Sequence, residues 1–217
     1  MIIFMCKQYE HTIAITNRTL VQGDFLKQMQ KVVRLYPHAV ILREKDLPDE
    51  EYEILAKKIL EMCRESGVGC FLHSRILVAN RLGCKQIHMS VPVLVAMSEE
   101  ERIWLRRDFQ EISVSCHSME DMDIAVKNGA TQIILGTIYE TECKKGLKGK
   151  GLEFVREICK ACPVPVYAIG GINLAGNGSG CGRRVYDVWF YADVDFILSW
   201  NERFRLYIIN EDMRKSI

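Results

Sequence analysis

The 217-residue sequence carries almost no net charge, since 29 lysines and arginines stand against 28 aspartates and glutamates. A protein that grips nucleic acid broadly shows a basic face or tail, so that class is excluded and any attraction for anions has to be local. No helix-turn-helix or basic recognition helix is evident either. Long apolar runs are also missing. None reaches the ~20 residues that a membrane-crossing helix needs, and the opening MIIFMCKQYEH has too few apolar residues before Lys7 for a secretory leader. No low-complexity linker interrupts the first 170 residues. Nine cysteines are present without a disulfide or zinc pattern: their number is odd, and the C-x-x-C at Cys159 and Cys162 has no second pair. Structural zinc takes four ligands. No metal site is therefore expected, and the thiols fit a reduced, cytoplasmic protein.

What is present is alternation. Short β-branched runs, TIAIT (12–16), AVILREK (39–45), GCFLHS (69–74), KQIHMS (85–90), EISVSCHS (111–118), TQIILGT (131–137) and VPVYAIGG (164–171), are read as strands. Between them, DFLKQMQKVVRL, DEEYEILAKKILEMCRES, SEEERIWLRRDF, MEDMDIAVKNG and LEFVREICKA repeat apolar residues every three or four positions and are read as helices. Strand–helix units of this length require right-handed parallel crossovers, as in a doubly wound sheet or a (β/α)8 barrel. Seven units fit before residue 172, and polar residues gather where the strands end. A barrel brings all those ends to one mouth, so the expected fold is an α/β (β/α)8 TIM barrel.

The eighth unit is expected to be abnormal or missing. After AIGGI the chain reads NLAGNGSGCGRRVYDVWFYADVDFILSW, rich in glycine and without a helical period, with VDFILS the candidate strand. Permitted codons for GNGSGCGRRVYDVWF, read one base later, can give EMEADAAGVCMMSGF, so the tail from about residue 175 is read as translated out of frame. The chain accordingly divides into a barrel domain, 1–173, and an atypical C-terminal segment, 174–217.

Several residues at the expected strand ends carry chemistry. Arg43, Glu44 and Lys45 place a carboxylate between two cations, suited to phosphate capture with a base or an orienting partner, or to an ordinary charged surface. His117 lies between Ser115 and Ser118, and histidine is the side chain best suited to moving protons near neutral pH. Ser118 can also cap the next helix, SMED resembling a capping box. His73 and His88 are read as structural or substrate-lining, and Cys116 as an inert thiol facing the helices. Gly170 and Gly171 would let backbone N–H groups approach an oxyanion. GTIYETECKKGLKGKG, with Lys144 and Lys145, is either a solvated connection or one wall of an anion cradle.

ITNR, LREK, SVSCHS, GTIYETECKKGLKGKG and PVYAIGGI, in this order, resemble the thiamine phosphate synthase/TenI family of (β/α)8 barrels over about residues 11–173. The resemblance implies a thiamine-biosynthesis enzyme whose partner is a small-molecule thiazole phosphate. Synthases of the family join it to an aminopyrimidine diphosphate (hydroxymethylpyrimidine diphosphate), releasing pyrophosphate with magnesium; thiazole tautomerases of the TenI branch shift a proton without a metal. Where synthases carry an Asn-Asp pair and a later aspartate, this chain has His73, Ser74 and Val93. ETECKKGL and the histidine of SCHS look like the TenI branch. The leading expectation is thus a thiazole tautomerase with no cofactor. A thiamine phosphate synthase using Mg is the alternative, and a non-catalytic ligand-binding or regulatory TenI-like protein the second. By resemblance His117 and Glu44 are the catalytic candidates, while Arg43, Lys45, Ser115, Thr141, Lys144 and Gly171 bind substrate or phosphate. No nucleic acid and no membrane are expected as partners, and a homo-oligomer is possible because an aberrant tail would expose apolar surface and could impair activity.

Overall fold

The computed structural model describes residues 9, 11–139, 149–170 and 185–190, the last for the backbone alone. Eight parallel strands form a closed barrel in chain order: β1 Ile13–Ile15, β2 Ala39–Leu42, β3 Gly69–His73, β4 Gln86–Ser90, β5 Glu111–Cys116, β6 Gln132–Gly136, β7 Val166–Ile169 and β8 Val185–Phe190. Helices α1 Phe25–Val33, α2 Asp49–Ser66, α3 Ile76–Arg81, α4 Val91–Ala96, α5 Glu99–Asp108, α6 Met119–Lys127 and α7 Gly151–Ala161 follow their strands. The α/β barrel expected from the alternation is the fold observed.

The strand of the eighth unit lies earlier than VDFILS. Val185–Phe190 pairs in parallel with β7, Val166 opposite Val185, and with β1, Ile13 opposite Val188, and so closes the ring. The candidate VDFILS lies outside the described residues, as does the rest of the tail from residue 191. Two short helices, α3 and α4, were not expected. Each has six residues, too few for an apolar period to stand out.

Alternation along each strand separates two environments. Ala14, Val40, Leu42, Cys70, Leu72, Ile87, Met89, Ile112, Val114, Ile133, Leu135 and Ala168 join the large cluster beneath the helices, while Ile13, Ile15, Ala39, Ile41, Phe71, Ile134 and Tyr167 form a second cluster inside the barrel. On β4 and β5 the alternate positions are polar instead: Gln86, His88 and Ser90 beside Glu111, Ser113 and Ser115. Buried polar atoms have to find partners, and here they bond one another. Gln86 donates to Glu111 at 2.7 Å and accepts the Cys70 N–H at 2.6 Å, and His88 lies within 2.9 Å of both Ser113 and Ser115. One side of the lumen is therefore a hydrogen-bonded polar wall leading to the C-terminal mouth. Cys116 joins the outer cluster as expected, fully buried, and burial pushes its thiol up to about 12.

Candidate functional site

His117 is the first residue beyond β5, exposed at the C-terminal end of the barrel. Three neighbouring elements hold it. Its backbone N–H donates to Asp121 Oδ2 in the first turn of α6 at 2.6 Å, and its carbonyl accepts from Lys150 Nζ at the start of α7. Its ring Nδ1 lies 2.6 Å from the carbonyl oxygen of Gly136, at the end of β6. A carbonyl oxygen can only accept, so Nδ1 is the protonated nitrogen of this contact, which leaves Nε2 as the ring atom able to accept a proton. No group among the described residues is hydrogen-bonded to Nε2. Gly136 is needed on its other side: a Cβ there would lie 2.8 Å from Ile169 Cγ2 on β7, while the ring's Cε1, at 3.7 Å, would be in ordinary contact. The local sequence partly foretells this. Ser118 does cap α6, accepting the Asp121 N–H at 3.0 Å. The capping box suggested by SMED is not completed, because the Asp121 carboxylate accepts from His117 rather than from Ser118.

Arg43, Glu44 and Lys45 follow β2 and do different things. Glu44 is 2% exposed, and its carboxylate accepts from Thr16 Oγ1 at 2.5 Å and from the Arg18 backbone N–H at 3.0 and 3.1 Å. Thr16 in turn accepts the Arg43 N–H at 2.9 Å. Glu44 thus ties the loop after β1 to the end of β2, an orienting role rather than that of a free base. Arg43 and Lys45 have no carboxylate partner among the described residues. Burial and then the charge of Arg43 hold the Lys45 ammonium below its usual range.

Beside them opens a pocket of about 280 Å³ lined by Glu44, Lys45, His73, Ser74, Arg75, Ser90 and Val93, from the ends of β2, β3 and β4. The His73 and His88 rings stand 5.4 Å apart. Burial, followed by the charges of Lys45 and Arg43, lowers His73 to about 4, and burial drives His88 the same way. Both are neutral at pH 7. His88 bonds Ser115, so the polar wall runs from this pocket to within two residues of His117. Of the candidates, Arg43, Lys45, Ser115 and His117 therefore gather at one end of the barrel. Thr141, Lys144 and Gly171 lie outside the described residues.

Gly170 is required for packing. Its φ is +104°, and a Cβ would sit 2.7 Å from Thr137 Cγ2. The Tyr139 N–H donates to the Gly170 carbonyl at 2.8 Å and the Ile138 N–H to Ile169 at 3.1 Å, tying the start of the lysine loop to β7. Lys150 and Gly151 return the far end of that loop to Thr137 and Ile138 at 3.2 and 2.9 Å.

The magnesium of the synthase alternative finds a poor donor set here. Magnesium is bound through carboxylate and phosphate oxygens in near-octahedral geometry. The pocket offers one carboxylate, Glu44, which is already engaged with Thr16 and Arg18. Val93 has no donor, and no group of three acidic, histidine or cysteine side chains among the described residues could hold a metal ion.

Comparison with known proteins places this architecture. A family model described as thiamine monophosphate synthase, TMP-TENI, matches residues 12–178. The chain belongs to the TMP-TENI family. Its relatives include the thiamine-phosphate synthase of Caldanaerobacter subterraneus subsp. tengcongensis, 29% identical over 193 residues, 88% of this chain and 85% of that protein. The chloroplastic thiamine biosynthetic bifunctional enzyme TH1 of Arabidopsis thaliana is 32% identical over 143 residues, 64% of this chain but only 26% of that protein. The chain thus spans about a quarter of the plant relative's length. Among solved structures, the thiamine phosphate pyrophosphorylase from Pyrococcus furiosus shares the fold, with a TM-score of 0.70 at 22% identity over 85% of this chain and 87% of that one. The chain is a member of a thiamine-biosynthesis family, and the names of these relatives match the synthase alternative better than the tautomerase expectation. Among the described residues, no helix of this TMP-TENI barrel is long and apolar enough to cross a membrane.

Proposed function

We propose that the chain binds a thiazole phosphate at the barrel mouth and acts as a metal-free thiazole tautomerase in the cytoplasm. The observation that carries this reading is the exposed His117, whose Nδ1–H is committed to the Gly136 carbonyl, leaving Nε2 as the nitrogen that can take a proton. Nε2 takes a proton from the non-aromatic thiazole carboxylate, and the imidazolium, steadied by that carbonyl, gives one back elsewhere on the conjugated ring system. Such a positioned acid–base group contributes about 10²–10⁴ in rate. The Lys144 and Gly171 backbone and side-chain contacts expected from the resemblance belong to the same proposal, as does Thr141. Glu44 serves by holding the β1 and β2 loops in place.

A second reading, thiamine phosphate synthase, is favoured by the relatives' names. One assay on purified protein separates the two. Supplied with the non-aromatic thiazole phosphate carboxylate, the chain is expected to form the aromatic isomer in the presence of EDTA. Supplied with the pyrimidine diphosphate, thiazole phosphate and magnesium, a synthase would instead release pyrophosphate, and that outcome overturns the tautomerase reading. Activity in neither assay would favour a non-catalytic ligand-binding role. We further propose that the segment 174–217 is read out of frame; sequencing the gene there decides it, and a frame-restored protein should then match or exceed this chain's activity.

A further inference from the structure

We propose that Ser113 and His88 are positioning residues: Ser113 gives its hydrogen to His88 Nδ1, the ring keeps its own on Nε2, and the Ser115 hydroxyl is left with its hydrogen free for the barrel mouth. The ligand oxygen that takes this hydrogen rests on the function above; the arrangement itself does not. Ser113 and Ser115 stand two residues apart on β5 and share a face, and Ser113 lies opposite His88 on β4. Alternate residues of a strand are about 7 Å apart. One imidazole reaches both, with Nδ1 2.9 Å from Ser113 Oγ and Nε2 2.9 Å from Ser115 Oγ.

A ring between two hydroxyls can be wired in two ways. A neutral imidazole has one N–H and one lone pair, so one serine accepts from it and the other donates to it. The surroundings decide which. Ser113 is 0% exposed, and among the described residues its Oγ is bonded to His88 alone. If it accepted from Nδ1, its own hydrogen would be orphaned in the core, at the full cost of a desolvated donor. Gln132, opposite Ser113 on β6, makes no hydrogen bond to it, and the buried Nε2 of Gln132 lacks a partner of its own. Donation to Nδ1 removes the cost. The ring proton then sits on Nε2 and is given to Ser115, which is half-buried and has no other side-chain partner among the described residues. Ser115 is thereby a fixed donor two residues before His117, suited to a ligand oxygen that accepts and not to a ligand N–H. Burial, which holds His88 well below its usual range, keeps the ring neutral and preserves the lone pair that Ser113 needs.

The test is long-range proton–nitrogen correlation NMR of the full chain at neutral pH, with isotopically labelled histidine. The ring signals of His88 are identified by their loss in His88→Asn. The expected result is a protonated Nε2 and an unprotonated Nδ1. The opposite tautomer, an even mixture of the two, or an imidazolium overturns the proposal. Ser113→Ala, with the far-ultraviolet circular dichroism of the parent, should lose the preference, the two nitrogen shifts moving toward each other. Unchanged shifts would show that Ser113 does not set the tautomer, and would overturn it as well. On the thiazole phosphate carboxylate the same variant should raise KM about three- to tenfold with kcat changed less, the loss of one hydrogen bond between neutral groups; an unaltered KM contradicts the link to Ser115. The tautomer is read in the free protein, so a chain that isomerises no thiazole would remove the function above without touching this result.

Discussion

The carboxylate of Glu44 receives one hydroxyl and one backbone N–H within a nearly sealed corner, so its charge is satisfied by geometry alone. Glu44→Gln keeps the shape but turns an amide N–H₂ toward the donors of Thr16 or Arg18. Hydrogen bonds to a charged partner contribute about 1.5–3 kcal/mol, and a loss of that size is expected in the urea midpoint of the variant. At the end of β7, Gly170→Ala is expected to cost about 2 kcal/mol or more, because the left-handed backbone disfavours any side chain and the added methyl meets Thr137. Thermal unfolding of the purified variant checks it. These two residues also show what sequence could and could not reveal. LREK and AIGG are visible as motifs, but the commitment of Glu44 depends on Thr16 and Arg18 beyond the neighbouring strand β1, and the packing of Gly170 depends on Thr137, which has no sequence signature. The partner of His117 is a backbone carbonyl, which every residue has, so no motif could have named Gly136.

At the scale of elements, β5, β6, α6 and α7 converge on His117. Lys150 reaches its carbonyl while standing over the Phe154 ring at 4.7 Å. Lys150→Met removes that anchor without touching the ring nitrogens. If the tautomerase reading holds, kcat should fall about three- to tenfold with KM changed less, the pH–rate profile should change shape, and Lys150→Arg should restore most of the rate. A steady-state pH series on the three proteins checks this. The elements themselves were largely readable. Seven strands and the longer helices follow from period, and α2 spans the same residues, 49–66, as its periodic segment. The polar wall was visible as QIHMS and EISVSC, where alternate positions are polar, yet only register makes it a wall: Gln86 opposite Glu111, His88 opposite Ser113 and Ser90 opposite Ser115.

For the whole molecule, the closed ring carries two histidines that the fold keeps neutral. An unfolded histidine protonates near 6.5, whereas folded His73 does so only near about 4 and His88 is displaced the same way. Between those values the unfolded chain binds more protons, so stability is complete above about pH 6.5 and falls toward pH 4, by up to about 1.4 kcal/mol per pH unit for each histidine. Denaturant midpoints at about pH 7.5 and about pH 5 should show the drop, and His73→Asn should reduce it. The barrel was legible as a whole because repeated strand–helix units admit few topologies. Its last strand was not: VYDVWF follows a glycine-rich stretch with no helical period, and only pairing with both β7 and β1 distinguishes it from the later apolar run.

The most direct measurement of the central claim is solvent deuterium incorporation into the thiazole phosphate carboxylate, followed by NMR in EDTA-treated D₂O. Wild-type protein should catalyse exchange without any metal, and His117→Asn should lower it at least about 100-fold while keeping the parent's thermal midpoint. Exchange that appears only when magnesium is restored, or that survives intact in His117→Asn, would contradict the account.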